Sequence, residues 1–160
     1  MSEFFVTSPD FHEGGEIPKK FGYKFENESP SIQFENVPQE AFSTNSTESI
    51  ALIMDDPDAM GAVGKVWVHW LQYSSAVSGV TDKIVEDMGE ISPVINGKND
   101  FGEIGYGGPA PPDKRHTYIF KAYTLDTELD LKEGYSKQEL EDAMKGHIIA
   151  EAKLTGTYAP

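Results

Sequence analysis

The sequence predicts a mostly-β domain, with antiparallel sheets in a sandwich-like arrangement and one or two helices late in the chain. Two observations lead there. Short apolar runs of strand length recur along the 160 residues, divided by turn signals drawn from 15 glycines and 10 prolines. A clear helical period occurs in one segment only, near the end. The length suits a single domain over residues 1–160 with a sizeable core. No internal repeat or long linker divides it.

In chain order, Phe4–Thr7, Ile32–Phe34, Ile50–Met54, Val66–Tyr73 and His116–Leu125 read as strands. Ser29-Pro30, Val37-Pro38, Asp56-Pro57, Asn96-Gly97 and Gly107–Pro112 supply the turns between them. Val66–Tyr73 is apolar on both faces and reads as the most buried strand. The two-residue period puts Trp67, His69, Leu71 and Tyr73 on one side of it. The same period puts His116, Tyr118, Phe120 and Ala122 on one face of the next long strand. Ser92–Asp100 reads as an irregular surface loop. Ser136-Lys-Gln-Glu139 is a capping box. Leu140, Ala143, Met144, His147 and Ile148 then form one helical stripe, which places His147 in core or subunit-contact packing. Alternation at Ala152, Leu154, Gly156 and Tyr158 predicts a final strand.

Composition narrows the function. No apolar run approaches the roughly 18 residues that a membrane span requires. The first fifteen residues carry neither a basic region nor a long apolar one, so a cytoplasmic location is expected. There is no cysteine, which excludes disulfides, thiolate metal sites and thiol nucleophiles. The formal charge of −14 leaves no basic face for nucleic acid or for an anionic membrane surface. An anion bound here must be held by local donors.

Chemistry-bearing residues gather in two stretches, DDPDAM followed by VWVHW at residues 55–70, and GEIGYGGPAPPDKRHTY at residues 102–118. Asp55, Asp56 and Asp58 flank a proline, where aspartates cap turns and can also orient a histidine by accepting its ring N–H. His69 lies between tryptophans in a core-like strand, a setting that also suits a purely structural histidine. His116 and Tyr118 follow a Gly/Pro-rich loop whose amides are expected to form a concave nest for an anion. That loop is not a Walker loop, since no GK[ST] follows it. Nothing assigns a role to His12.

These motifs, with the opening IPKKFGYKFENESPSIQFENVP and the ending SKQELEDAMKGHIIAEAKLTGTY, resemble the phosphatidylethanolamine-binding protein family, and most closely its prokaryotic Raf kinase inhibitor-like branch. The resemblance covers nearly the whole chain. It implies a large antiparallel β-sheet packed on a smaller one with peripheral helices. It also implies a small pocket for phosphate-like anions, including phospholipid head groups, formed by Asp56, His69, Gly108, Pro109, Ala110, His116 and Tyr118. A homodimer is implied as well, as is a regulatory or inhibitory partnership with a kinase or protease. Two positions depart from the family pattern. Met60 stands where a second proline is common, and Thr117 where an arginine is common.

A binding protein without catalytic residues, metal or cofactor is therefore the expected class. The alternative is a metal-assisted or hydrolytic enzyme using the Asp/His cluster, which superficially resembles a facial metal triad. The absence of a Gly-x-Ser-x-Gly elbow or a metalloprotease helix motif weighs against it.

Overall fold

The computed structural model describes residues 3–38, 47–75 and 94–160. Its elements run β1 (Phe5–Thr7), β2 (Gly15–Glu16), a 3-10 turn (Lys19–Phe21), β3 (Gln33–Glu35), β4 (Ser49–Asp56), α1 (Ala59–Val63), β5 (Trp67–Ser75), β6 (Val94–Asn96), β7 (His116–Leu125), α2 (Lys137–Met144) and β8 (Ile148–Tyr158). The mostly-β class holds. A six-stranded sheet in the order β2-β8-β7-β4-β5-β6 faces a two-stranded sheet, β1-β3. The large sheet is antiparallel except for the short β2–β8 pair, which is parallel.

Alternation along β4 builds the layers. Ile50, Leu52 and Met54 pack with Phe120 of β7 and with Val6 and Phe34 of the small sheet. Ala51 and Ile53 face the opposite way, into a second cluster with Leu71, Tyr73, Leu125 and the α2 residues Leu140 and Met144. All eight residues of β4 are buried, so β4, not the tryptophan-bearing strand, is the most enclosed. It is the better covered because it lies between β5 and β7 with an apolar cluster on each face.

The structure differs from the sequence expectations in four places. The Asp-Pro-Asp turn runs directly into α1, a helix too short to show a period. Val94–Asn96, expected in a loop, pairs with β5 at the edge of the large sheet. The capping box forms in both directions, with Ser136 Oγ accepting from the Glu139 amide at 3.0 Å and Glu139 Oε1 accepting from the Ser136 amide at 3.1 Å. The helix nevertheless stops at Met144. Gly146 adopts a left-handed φ of 81° and turns the chain, and the pairing of Ile148 with Leu125 draws that residue into β8. His147 is consequently not core: half exposed, it donates from Nδ1 to Asp126 Oδ1 at 2.8 Å.

The fourth difference shapes the site. Met54 pairs with Trp70 while Asp55 pairs with Val68, so His69 is an extra residue in β5, a β-bulge. Parity inverts there. Leu71 and Tyr73 join Val68 in the second cluster, and Trp70 joins the first. His69 is left on the same side as Trp67 and Tyr118 instead of sharing a face with Leu71. Bulges commonly re-aim a side chain in this way.

Candidate functional site

The site begins at the end of β4. Asp56 continues the inward row of Ile50, Leu52 and Met54, while its neighbour Asp55 points to the other face. Asp56 Oδ1 accepts from the Asp58 amide at 2.9 Å and closes the turn around Pro57. Asp58 Oδ2 accepts from the Thr117 amide at 2.8 Å, which ties that turn to the start of β7. Thr117 therefore serves through its backbone, on the face opposite His116 and Tyr118. Arg115 turns outward, with Nη1 donating to Thr157 Oγ1 at 3.2 Å and lying 3.8 Å from Glu16. Met60 is exposed on α1, outside the cavity lining.

His116 is almost fully buried and has a carboxylate on each ring nitrogen. Nδ1 donates to Asp56 Oδ2 at 2.6 Å, and Nε2 donates to Asp113 Oδ1 at 2.7 Å. With both carboxylates ionised, each accepts from the ring and both nitrogens carry a proton. Burial opposes that charge, but Asp56 and Asp113 outweigh it and raise the pKa of His116 above the ordinary value. Burial raises the Asp56 carboxyl, with the His116 hydrogen bond pulling against it.

His69 is the opposite case. Its Nδ1 donates to the Gly107 carbonyl at 2.6 Å, and the Gly107 amide returns a bond to the His69 carbonyl at 2.8 Å. Phe101 and Tyr118 pack edge-on to the ring at 5.6 and 5.1 Å. Burial lowers its pKa to about 4, so the ring is neutral near pH 7. With the proton on Nδ1, Nε2 carries a lone pair. The two histidines thus divide the labour: the two carboxylates favour the charged form of His116, while burial favours a neutral, accepting His69.

These groups surround one cavity of about 120 Å³. Its wall includes Asp56, His69, Ala110, His116 and Tyr118, all expected from the sequence. Gly108 and Pro109 are not in the lining. The Gly108 amide donates to Asn27 Oδ1 at 2.7 Å, and a Cβ on this residue would lie 2.0 Å from the Phe21 carbonyl oxygen. The Pro109 carbonyl accepts from the Tyr23 amide at 3.0 Å, and its ring borders a separate groove with Lys24 and Phe25. The expected amide nest is likewise absent at these positions. Gly105 donates to Gly97, Gly107 to His69 and Gly108 to Asn27, while the prolines have no N–H to offer. Buried backbone donors must be paired, and here the chain pairs them with itself.

Two donors in the wall are not paired. The indole Nε1 of Trp67 and the hydroxyl of Tyr118 are buried without a hydrogen-bond partner. Burial holds the Tyr118 phenol far above its ordinary pKa, so it keeps its proton. The Ala110 amide, directed at that oxygen, pulls the other way. A buried polar group left unmatched costs about 1–3 kcal/mol, so two in one cavity point to a ligand bearing acceptors.

In the sequence Trp67 reads only as a tryptophan flanking His69, not as a donor. Its signal was present, since it stands two residues before His69. Phe101 and Asp113 were also overlooked. Phe101 stacks on Tyr23 with centroids 3.8 Å apart, a contact between residues 78 positions apart. Asp113 had a visible cue in its place three residues before His116.

Antiparallel strands, a bulged histidine and an Asp–His pair at a strand end enclose a small cavity carried on a layered β fold. The family follows from comparison. The phosphatidylethanolamine-binding protein model matches residues 7–159, and the chain belongs to that family. The UPF0098 protein of Chlamydia trachomatis is 42% identical over 155 residues, spanning 96% of this chain and 97% of its own. The UPF0098 protein of Methanothermobacter thermautotrophicus is 41% identical over 150 residues, spanning 92% and 93%. Among solved structures, a phosphatidylethanolamine-binding protein homologue from Chlamydia trachomatis superposes with a TM-score of 0.81 at 39% identity, covering 99% of this chain and 98% of that one. The Escherichia coli protein YbcL, described as a member of the mammalian family, gives 0.80 at 30% identity and 98% coverage of both chains. Among the described residues, no helix is long and apolar enough to cross a membrane.

Proposed function

We propose that this protein binds a small oxyanion, free or as a phospholipid head group, in the Asp56–His116 cavity. The observation that carries the reading is the pair of unpartnered buried donors, Trp67 Nε1 and Tyr118 O–H, beside the doubly protonated ring of His116. Charge-assisted bonds from an imidazolium to an anion are stronger than neutral ones. His69 Nε2 adds an acceptor, which favours an anion that keeps one proton, such as a phosphate monoanion. The cavity volume suits a head group.

A binding role is favoured over catalysis because the candidate catalytic groups are engaged with one another. Asp56 holds His116 and its own turn, and His69 donates its Nδ1 proton to Gly107. For the same reason Asp56, His69 and His116 do not present a convergent facial set of metal ligands. We further propose a cytoplasmic homodimer whose pocket occupancy regulates a kinase or protease partner, a reading carried by family membership.

Titrating inorganic phosphate into ¹⁵N-labelled protein tests the reading. The Trp67 indole N–H and the His116 ring signals are expected to shift at millimolar phosphate. Affinity is expected to fall as pH rises through the raised pKa of His116, because the neutral ring loses one donor. Indole and ring signals that stay still throughout would sink the proposal.

A further inference from the structure

The second carboxylate on His116 has a consequence for binding. Asp56 cannot leave its partner: it lies within β4, nearly fully buried, with its other oxygen closing the Asp56–Asp58 turn. Asp113 is placed differently. Its side chain is 43% exposed, and it belongs to the exposed stretch Pro112–Arg115 that follows the cavity-lining proline Pro111. Yet its Oδ1 sits 2.7 Å from Nε2, the one N–H of His116 that Asp56 does not use. An oxyanion seeking that donor meets a carboxylate already on it, with like charge.

We propose that Asp113 is a built-in competitor for the oxyanion site, its carboxylate occupying the position on His116 Nε2 that a ligand oxygen takes on binding. The inference rests on the oxyanion reading of the cavity. Binding is then an exchange, in which Asp113 swings into solvent and the ligand takes over its hydrogen bond. The pocket stays closed to weak or dilute anions and opens to ligands that also satisfy Trp67 and Tyr118. Around His116 the charged and titratable groups include Asp56 and Asp58 from the end of β4, His69 on β5 in the same cavity wall, Asp113 and Arg115 from its own segment, Tyr118 on β7, and Tyr158, its register partner on β8. Only Asp113 is both bonded to the ring and substantially exposed.

The test is calorimetric titration of inorganic phosphate and of acetate into the wild type, Asp113→Asn and Asp113→Ala at pH 6, below the ordinary imidazole pKa. Asp113 is exposed, so both variants are expected to keep the wild-type circular dichroism. Removing a like charge at hydrogen-bonding range is worth at least about tenfold in phosphate affinity, and both variants are expected to gain it. Unchanged or weaker binding by the variants, with the wild type still binding, overturns the competitor role and leaves the oxyanion reading standing. If none of the three proteins binds either anion, the oxyanion reading falls and this inference with it. A ligand-free measurement adds a second check. The hydrogen-bonded Nε2–H signal of His116 is expected in the wild type and lost in Asp113→Ala, and its absence from the wild type also overturns the proposal.

Discussion

Asp55 and Asp56 are adjacent in sequence, both buried, and engaged in opposite kinds of work. Strand alternation sends Asp55 to one face of the sheet, where its Oδ2 takes Lys121 and Lys137, each at 3.0 Å. Lys137 opens α2, so this carboxylate pins the helix to the sheet. Asp56 faces the cavity and holds His116. The difference lies in the partner. A lysine keeps its charge across the ordinary pH range, whereas a histidine can lose its charge near neutrality. The same local chemistry therefore gives a permanent clamp on one face and an adjustable binding group on the other.

The contrast can be broken first at Asp55. Asp55→Ala leaves two half-buried lysines without their shared anion, and breaking such a pair costs about 3 kcal/mol. Urea denaturation is expected to show that loss while phosphate affinity stays within about threefold of wild type. A comparable loss of affinity would mean that the two faces are not independent.

A nearly equal effect belongs to His69, and its sign is fixed by burial. The folded-state pKa of about 4 lies below the ordinary imidazole value of 6.5, so its stabilisation is complete above pH 6.5 and is lost as pH falls toward 4. The span corresponds to on the order of 3 kcal/mol. His69→Gln is expected to flatten that part of the stability profile, measured by denaturant titration at successive pH values. An unaltered slope would place the acid sensitivity elsewhere. His116 acts in the reverse sense. Its raised pKa gives stabilisation that is complete at low pH and lost as pH rises through the folded value.

The smallest expected effect is the most specific to the site. Tyr118→Phe removes a buried hydroxyl that has no partner. Stability is expected to hold or rise by up to about 1 kcal/mol. Phosphate affinity is expected to fall by about fivefold, the worth of one neutral hydrogen bond. A clear loss of stability in this variant would show that the hydroxyl is satisfied within the protein.

Much of the fold was legible in the sequence. Strand alternation in His116–Leu125 placed His116, Tyr118 and Phe120 on one face, and ten consecutive residues of β7 pair with β8 in that strand. The capping box marked the start of α2 to the residue. Misreadings arose where a long-range contact overrode a local pattern. The helical stripe ran on to Ile148 in the sequence, but Gly146 and the claim of Leu125 on Ile148 ended the helix early. The edge strand Val94–Asn96 has no pattern of its own and exists because β5 offers an open edge.

The site divides the same way. The sequence by itself determined which groups are available: an aspartate held at a strand end by proline, two histidines in apolar strands, and a tyrosine two residues beyond the second. These follow from covalent order and from the period of an extended chain. Tertiary structure decided what each group does. The bulge turned His69 from the Leu71 face to the cavity, burial kept it neutral, and two carboxylates raised the pKa of His116. It also spent the Gly105, Gly107 and Gly108 amides on the chain's own oxygens and left the Trp67 indole and the Tyr118 hydroxyl proton unmatched. The physical reason is that protonation state and free hydrogen-bonding capacity depend on solvent exclusion and on partners far along the chain, 60 residues apart for Asp56 and His116 and 81 for Asn27 and Gly108. No local pattern encodes them.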